Sequence, residues 1–265
     1  MMATVELEHR VEGGGDPPIV VLHGLLGSGR NWQTIANRLA PNHRICLVDL
    51  RNHGRSPWTQ SMTYAEMADD VLELLDRLGW SAPVVLGHSM GGKVAMRLAT
   101  EHPERVGALV VVDIAPVRYD RGHRAEVDAL RALDLSTIVS RADADARLAE
   151  GIAEPALRQF LLRNLESGPD GYRWQANLDT IAAAMPELID FPSPRRTFDG
   201  ACLAIVGGLS DYVGEAGASA LRRWFPQAQF GPIDRAGHWP HAERPDLVTA
   251  VLETFLRSLP QRVRE

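Results

Sequence analysis

The chain has 265 residues, of which 45% are hydrophobic and 23% are charged, and its formal net charge is -6. This length suits one large domain or a domain with an insertion, and the composition is that of a folded globular protein. The net charge is negative and no basic run stands out, which argues against nucleic acid and membrane surfaces as partners.

The termini and the cysteines indicate the compartment. Residues 1–15 are polar and lack the apolar core of a signal peptide. No apolar stretch approaches the roughly 20 residues needed to cross a bilayer. Cys46 and Cys202 lie in apolar, strand-like runs, and we expect both to be buried free thiols. The sequence therefore predicts a cytoplasmic protein.

Short apolar strands and helices alternate through the first 114 residues. Continuous apolar runs predict strands that are covered on both faces, and apolar residues at helical spacing predict amphipathic helices. Thr63 and Glu66 form a potential capping box at the start of one helix. The predicted elements are strands at 5–11, 18–22, 45–50, 83–86 and 106–113 and helices at 32–39, 63–78 and 92–99.

The alternation stops in the middle of the chain and then returns. Residues 115–198 contain no convincing core strand and are predicted to form helices interrupted by prolines. The rhythm resumes with strands at 201–206 and 228–231 and helices at 216–224 and 246–259. Such alternation predicts an α/β fold with a mostly parallel sheet. We expect a core domain of residues 1–114 and 199–265, with residues 115–198 as a helical cap.

The pentapeptide G-H-S-M-G at 87–91 carries the strongest functional signal. It follows the predicted strand at 83–86 and precedes the helix at 92–99, and this context defines a nucleophile elbow. The turn is so tight that the flanking positions must be glycine. The pattern predicts that Ser89 stands at the carboxyl edge of the sheet and acts as the nucleophile of an acyl-transfer enzyme.

A serine hydroxyl needs a base, and in elbow enzymes the chain order is serine, acid, histidine. The segment A-G-H-W-P-H-A-E follows the predicted strand at 228–231, so its histidines can reach Ser89 across the carboxyl edge. We favour His238 as the base, because Gly237 before it permits a close approach. His241 is then a supporting loop residue.

Two aspartates are candidates for the triad acid. Asp113 ends the strand after the elbow, and Asp211 follows the strand at 201–206. The usual acid position in this architecture follows the strand after the cap. Aligning Gly207 and Val213 with the common pattern places Ser210 there, which leaves Asp211 one residue out of position. This departure favours Asp113, with Asp211 as the alternative.

The tetrahedral intermediate requires two preorganised N–H donors. We expect them to be the backbone N–H groups of Met90, directly after the nucleophile, and of Leu25, in the loop that follows His23-Gly24. The residues expected to border the substrate are His23, Gly24, His88 and Trp239. For His23, a bracing role in this loop is favoured over titration in catalysis.

No cofactor is expected. No histidine and carboxylate set has metal-ligand spacing, and the glycine-rich run G-L-L-G-S-G at 24–29 lacks the phosphate-binding G-x-x-x-x-G-K pattern. The turn at 49–56 is interpreted as structural. The proposed chemistry needs neither a metal ion nor an organic cofactor.

Taken together, these motifs resemble the α/β-hydrolase superfamily over nearly the whole chain. Four in order resemble its small bacterial esterase and acyl-thioesterase branch (YbfF-like): R-N-H-G at 51–54, G-H-S-M-G-G-K at 87–93, D-I-A-P-V at 113–117 and A-G-H-W-P-H-A-E at 236–243. The resemblance implies an α/β-hydrolase fold, with a mostly parallel eight-stranded sheet flanked by helices and a helical cap insertion. It also implies Asp113 as the acid.

The resemblance further implies hydrolysis of short- to medium-chain carboxylic esters or acyl thioesters through an acyl-enzyme. The expected partner is a small-molecule acyl substrate, and the chain itself is expected to be a monomer or a homodimer. Three interpretations stay open beside this one. They are a cofactor-free perhydrolase, a carbon–carbon bond hydrolase on the same triad, and a small-ligand receptor with little turnover.

Overall fold

The computed structural model describes residues 4–120, 122–169, 171–260 and Val263. The predicted core segments 1–114 and 199–265 therefore include residues outside the described part, namely 1–3, 261, 262, 264 and 265. Within the described residues, the chain forms a mixed sheet with helices on both faces and a separate small hairpin.

The first part of the chain alternates strands and helices as predicted. Its elements are β1 (His9–Glu12), β2 (Ile19–Leu22), α1 (Gln33–Leu39), β3 (Ile45–Val48), α2 (Tyr64–Leu78), β4 (Val84–His88), α3 (Met90–Glu101) and β5 (Ala108–Val112). Short 3-10 turns cover Gly29–Trp32 and Pro103–Arg105. The capping box at the start of α2 is confirmed, since the Thr63 hydroxyl accepts from the Glu66 N–H and the Glu66 carboxylate accepts from the Thr63 N–H.

The first strand is shorter than predicted and starts at His9 instead of residue 5. The N–H of Val5 donates to the Asp70 carboxylate (2.8 Å), and the N–H of Glu8 donates to the Ser56 hydroxyl (2.8 Å). Side chains from elsewhere in the core therefore take the backbone donors that a longer strand would need.

After β5 the chain leaves the sheet, and we call residues 115–198 the intervening segment. Its elements are α4 (Arg124–Ala132), α5 (Arg141–Leu148), α6 (Pro155–Leu161), β6 (Leu165–Gly168), β7 (Gly171–Trp174) and α7 (Leu178–Leu188), with 3-10 turns at Leu135–Thr137 and Leu162–Asn164. The antiparallel β6–β7 hairpin was not predicted. It pairs with no strand of the main sheet within the described residues, so the segment holds no core strand.

Proline 186 was expected to interrupt a helix, but α7 continues through it. A proline inside a helix leaves the carbonyl four residues earlier without its N–H partner. That carbonyl belongs to Ala182, and the Arg124 guanidinium donates to it from α4 (3.3 Å). A neighbouring helix thus replaces the missing hydrogen bond, and the expected break does not occur.

The chain returns to the sheet at β8 (Ala201–Gly207), followed by α8 (Glu215–Trp224), β9 (Ala228–Ile233), α9 (Pro240–Glu243) and α10 (Pro245–Ser258). The strand order is β1-β3-β2-β4-β5-β8-β9. Only β1 runs antiparallel, against β3, and every other neighbouring pair is parallel. The described residues form seven strands in this sheet, which corrects the expected eight.

Two apolar layers hold the sheet. Helices α1 and α10 cover one face, while α2, α3 and α8 cover the other together with the intervening segment. Every residue of β2, β3, β4 and β5 is buried, because each of these strands is covered on both faces. All the parallel strands end at the same edge, and the loops that leave this edge carry the candidate site.

A buried ionic cluster joins the turn after β3 to α2. The Arg51 guanidinium contacts the Asp70 carboxylate at 2.6 and 2.8 Å and the Glu66 carboxylate at 3.2 Å. All three side chains are buried. Because a buried charge without a partner is strongly destabilising, this cluster fixes the turn that supports the neighbouring loop after β2.

Candidate active site

Ser89 stands between β4 and α3 in a strained turn. Its φ of 50° and ψ of -118° lie outside the regions that non-glycine residues ordinarily occupy. A Cβ at position 87 would lie 2.1 Å from the Gly91 carbonyl oxygen, and one at position 91 would lie 2.4 Å from that of Leu22. Only glycine fits at either position, so the tight turn lifts Ser89 above the sheet edge.

The structure brings Ser89, His238 and Asp113 into one hydrogen-bonded line. Nε2 of His238 lies 3.1 Å from Oγ of Ser89, and its Nδ1 lies 2.8 Å from Oδ2 of Asp113. When the Nδ1–H donates a hydrogen bond to the carboxylate, Nε2 is unprotonated and can accept the serine proton. The three residues follow β4, β9 and β5, which are separate strands of the same sheet edge.

Asp113 is buried and fully engaged. Its Oδ1 accepts from the Gly207 N–H (2.9 Å), while its Oδ2 accepts from the Ser210 hydroxyl as well as from His238. Asp211 is exposed and makes no hydrogen bond to His238 in the described residues. Ser210, which the sequence pattern aligned with the usual acid position, therefore supports an aspartate supplied by another strand.

Burial dominates the electrostatics of His238. It lowers the pKa of the imidazole below its usual value near 6.5, while the hydrogen bond and charge of Asp113 oppose this effect. The Tyr212 ring stacks on the imidazole, with centroids 3.8 Å apart and planes 15° apart. Tyr212 contacts the face of the ring and Asp113 its edge, and the lowered pKa favours the neutral imidazole.

Two backbone donors lie beside Ser89. Met90 is the first residue of α3, so its N–H has no intrahelical acceptor. The Leu25 N–H makes no hydrogen bond to the described residues, and Leu25, Ser89 and Met90 line the same cavity. This arrangement is suited to holding an oxyanion.

Three polar side chains brace the loop that carries Leu25. His23 Nε2 accepts from the Leu50 N–H (3.0 Å), His53 Nε2 accepts from the Leu26 N–H (3.1 Å), and the Asn164 amide donates to the Leu26 carbonyl (2.6 Å). His23 was expected to border the substrate, but it is fully buried and lines neither cavity beside Ser89. It acts within the loop instead.

A column of rings supports His238 from behind. The buried His88 imidazole donates from Nε2 to the backbone carbonyl of His238 (2.8 Å). His241 contacts His88 edge-on at 4.7 Å and stacks on Trp32 at 4.3 Å. Burial lowers the pKa of His88 well below its usual value and that of His241 to about 3, so both stay neutral. Through His88, which directly precedes Ser89, the column links the backbone of the His238 loop to the nucleophile turn.

Two small cavities flank Ser89. The first, the Lys93 compartment, has a volume of about 50 Å³, and its lining includes Lys93, Ile114, Tyr119, Met185, Leu188 and Ile189. The second, the Trp239 compartment, has about 20 Å³, and its lining includes Gly24, His88, Leu157, Phe160, His238 and Trp239. Of the residues predicted to border the substrate, Gly24, His88 and Trp239 therefore lie at the site.

Lys93 joins the elbow helix to the intervening segment. Its ammonium donates to the carbonyls of Ile189 (3.1 Å) and Asp190 (2.8 Å), just beyond the end of α7, and lies 4.8 Å from the centre of the Tyr119 ring. A cation at a helix C-terminus is favourable, but burial lowers the Lys93 pKa to about 7. No role for Lys93 was predicted from the sequence.

The supporting roles of three residues were not predicted from the sequence. Tyr212 and Ser210 follow β8, and Glu243 accepts from the N–H groups of Gly237 (2.8 Å) and Trp239 (3.2 Å) around His238. The role of Glu243 could have been suspected from sequence, because this carboxylate follows His238 by five residues and can return to its loop. For the other two, the contacts depend on how distant strands meet.

A larger open cleft lies away from this chemistry. It has a volume of about 1250 Å³ and runs between the turn that contains Trp58 and the β6–β7 hairpin with Tyr172 and Trp174. Its lining includes none of the three residues of the hydrogen-bonded line.

Within the described residues, no group of three or more histidine, cysteine, aspartate or glutamate side chains is placed to hold a metal ion. None of the helices in the described ranges is long and apolar enough to cross a membrane.

Comparison with known proteins gives a consistent picture. Residues 17–245 match the model of the alpha/beta hydrolase fold family. The chain is 40% identical over 248 residues to the sn-1-specific diacylglycerol lipase ABHD11 of Mus musculus, covering 91% of this chain and 81% of that protein. It is 37% identical over 240 residues to the esterase YbfF of Escherichia coli strain K12, covering 90% and 92% respectively.

A solved structure described as a marine microorganism esterase superposes with a TM-score of 0.92 at 36% identity. The match covers 95% of this chain and all of that one. The fold and the matched sequences define the class: this is an enzyme of the α/β-hydrolase type. More closely, the chain belongs to the alpha/beta hydrolase family and has the esterase/lipase type of activity found in that family.

Proposed function

We propose that this protein is a serine hydrolase that cleaves carboxylic esters or acyl thioesters through a triad of Ser89, His238 and Asp113. The observation that carries the proposal is the continuous hydrogen-bonded line from Asp113 Oδ2 through the imidazole to Ser89 Oγ. A hydroxyl, a neutral imidazole and a buried carboxylate in this order form an activated nucleophile.

The reaction follows from the position of each atom. As Ser89 Oγ attacks the acyl carbonyl, His238 Nε2 takes the serine proton, and Asp113 stabilises the imidazolium that forms. The Leu25 and Met90 N–H groups hold the developing oxyanion. His238 then protonates the departing alcohol or thiol, and a water molecule, activated by the same imidazole, hydrolyses the acyl-enzyme and regenerates Ser89.

The two compartments take different parts of the substrate. The leaving group must lie next to His238, which protonates it, and His238 lines only the Trp239 compartment. The acyl chain then enters the Lys93 compartment on the other side of Ser89. Apolar side chains such as Met185 and Leu188 line that compartment, and we propose short- to medium-chain acyl groups as its occupants.

In this proposal the intervening segment, residues 115–198, acts as a cap on a core of residues 1–114 and 199–265. It supplies Met185, Leu188 and Ile189 to one compartment and Leu157 and Phe160 to the other. The names of the relatives, a diacylglycerol lipase and an esterase, support an ester as the substrate. The cap would therefore set the acyl length, while the core supplies the reacting groups.

The test is turnover of p-nitrophenyl esters from acetate to dodecanoate, with thioesters of the same acyl groups as a second series. We expect activity on both series with a maximum at short to medium chains, and a loss of about 10⁴-fold or more in Ser89→Ala. Ser136→Ala removes an exposed hydroxyl away from the site and is the matched control. Retention of full activity by Ser89→Ala would overturn the proposal.

A further inference from the structure

His123 lies over Ser89 without belonging to the triad. It immediately precedes α4 in the intervening segment, and its side chain lines both the Lys93 compartment and the Trp239 compartment. On the basis of the proposed hydrolase function, we propose that His123 is a substrate-binding residue. Its imidazole would hydrogen-bond a hydroxyl group that the substrate carries close to the scissile ester.

The contacts of His123 differ from those of the other histidines at the site. Its Nε2 lies 3.4 Å from the Tyr212 hydroxyl, and its Nδ1 lies 3.6 Å from a carboxylate oxygen of Glu126. Its side chain makes no other polar contact with the described residues. Both distances are at or beyond the limit of a good hydrogen bond, whereas His88 and His238 each make one of 2.8 Å.

The long polar contacts of His123 matter because its surroundings are largely apolar. The compartments on either side of His123 are lined largely by apolar side chains such as Leu25, Leu157, Met185 and Ile189. A polar group in such a place gains most from a well-placed partner. The side chain is 28% exposed, so a bound substrate can reach it without rearranging the core.

The polar atoms of the reacting ester group itself already have partners in the proposed reaction. The carbonyl oxygen is held by the Leu25 and Met90 N–H groups, and the leaving atom receives its proton from His238. A hydrogen bond from His123 must therefore go to a further substrate atom. Since His123 borders both compartments, that atom can belong to either the acyl chain or the leaving alcohol.

The chemistry of the imidazole selects a hydroxyl. The neutral ring has two tautomers, in which Nε2 is either an acceptor or a donor, and in the charged ring Nε2 is a donor. A hydroxyl both donates and accepts, so it fits all three states, whereas a carbonyl fits only a ring that carries a proton on Nε2. The predicted substrate class is thus an ester with a hydroxyl group within a few bonds of the reacting carbonyl.

The experiment compares two matched pairs of esters. Methyl butyrate against methyl 3-hydroxybutyrate tests the acyl side, and ethyl butyrate against 2-hydroxyethyl butyrate tests the leaving-group side. We expect wild-type kcat/KM to favour the hydroxylated member of one pair by about tenfold, the value of one good hydrogen bond. His123→Phe should abolish that preference while changing turnover of the plain esters much less, and His123→Gln should restore part of it.

Phe160→Leu is the control for reshaping of the same lining, and it should affect both members of each pair equally. Wild-type enzyme that hydrolyses all four esters with no preference in either pair would overturn the proposal whatever the variants do. Equal losses on plain and hydroxylated esters in His123→Phe would also overturn it, because they indicate a structural role. Failure of the hydrolase function itself is distinguishable, since wild type would then turn over none of the four esters and none of the p-nitrophenyl esters and thioesters of the first test.

Discussion

The two sides of the candidate site are built differently. On the core side, the contacts among Ser89, His238 and Asp113 are 2.8 and 3.1 Å, and each residue leaves a strand of the same sheet. On the side of the intervening segment, His123 has only contacts of 3.4 and 3.6 Å. The proposed chemistry is attached to the rigid sheet, whereas the proposed substrate-binding residue His123 is held only weakly by its polar neighbours.

The largest expected effect tests the core side. In Asp113→Asn the amide no longer stabilises the imidazolium and favours the wrong tautomer, so we expect kcat to fall by about 10⁴-fold. Asp211→Asn is the matched control and should stay near wild type, since that exposed carboxylate has no hydrogen bond to His238. Steady-state kinetics on a p-nitrophenyl ester measures both. A large loss in Asp211→Asn alone would move the acid to the strand after the intervening segment.

The second prediction concerns stability. Arg51→Ala leaves Asp70 and Glu66 buried with no guanidinium, and removing one partner of such a cluster costs about 3–5 kcal/mol. Arg131→Ala in the intervening segment breaks an exposed pair with Asp179 and should cost about 0–1 kcal/mol. Denaturant unfolding compares the two variants. Equal costs would contradict the assignment of a larger stabilising role to the buried cluster than to the exposed pair.

His88→Phe tests the ring column behind His238. The phenyl ring keeps the shape but cannot donate to the His238 carbonyl, so the histidine loop loses one fixed point. We expect kcat to fall by about tenfold with KM little changed, and the loss should be smaller in His88→Gln, whose amide can donate. A change in KM alone would show that His88 acts only by lining the Trp239 compartment.

The smallest effect is a shift of the pH profile. The rate rises with pH as His238 loses its proton, and burial lowers its pKa. The acid limb of kcat/KM should therefore have its midpoint below about 6.5. Asp113→Asn removes the group that opposes this shift, so any residual activity should persist to still lower pH. A midpoint above about 6.5 would mean that Asp113 outweighs burial.

Much of the core side was predictable from sequence because its signals are local. The elbow needs Gly87 and Gly91 within five residues, and the buried strands appear as continuous apolar runs. The choice between Asp113 and Asp211 depended on strands that are far apart in the chain. Local pattern alone does not say which carboxylate reaches His238. The presence of Ser210 at the usual acid position did favour Asp113, which is the carboxylate that contacts His238 in the structure.

The intervening segment was less legible. The strands β6 and β7 have four residues each, too few for a clear alternating pattern, and they are stabilised by pairing with each other. Pro186 ordinarily predicts a break in a helix, but Arg124, which is distant in the chain, supplies the hydrogen bond that the Ala182 carbonyl would otherwise lack. The expected eighth strand came from resemblance to other chains, and the side chains that take the backbone donors near Val5 carry no sequence signal.

Lys93 is the one lysine of the chain, and its pKa of about 7 leaves much of its amine unprotonated near neutral pH. Apart from the chain's own α-amino group, Lys93 is therefore the one amine that an amine-directed reagent can modify. That target is concealed beneath carbonyl groups of the layer above it. The rate of labelling at this position, followed by mass spectrometry, would measure how accessible this amine is to a reagent. Because Lys93 and Ser89 line the same cavity, that rate would also report on access to the space beside Ser89.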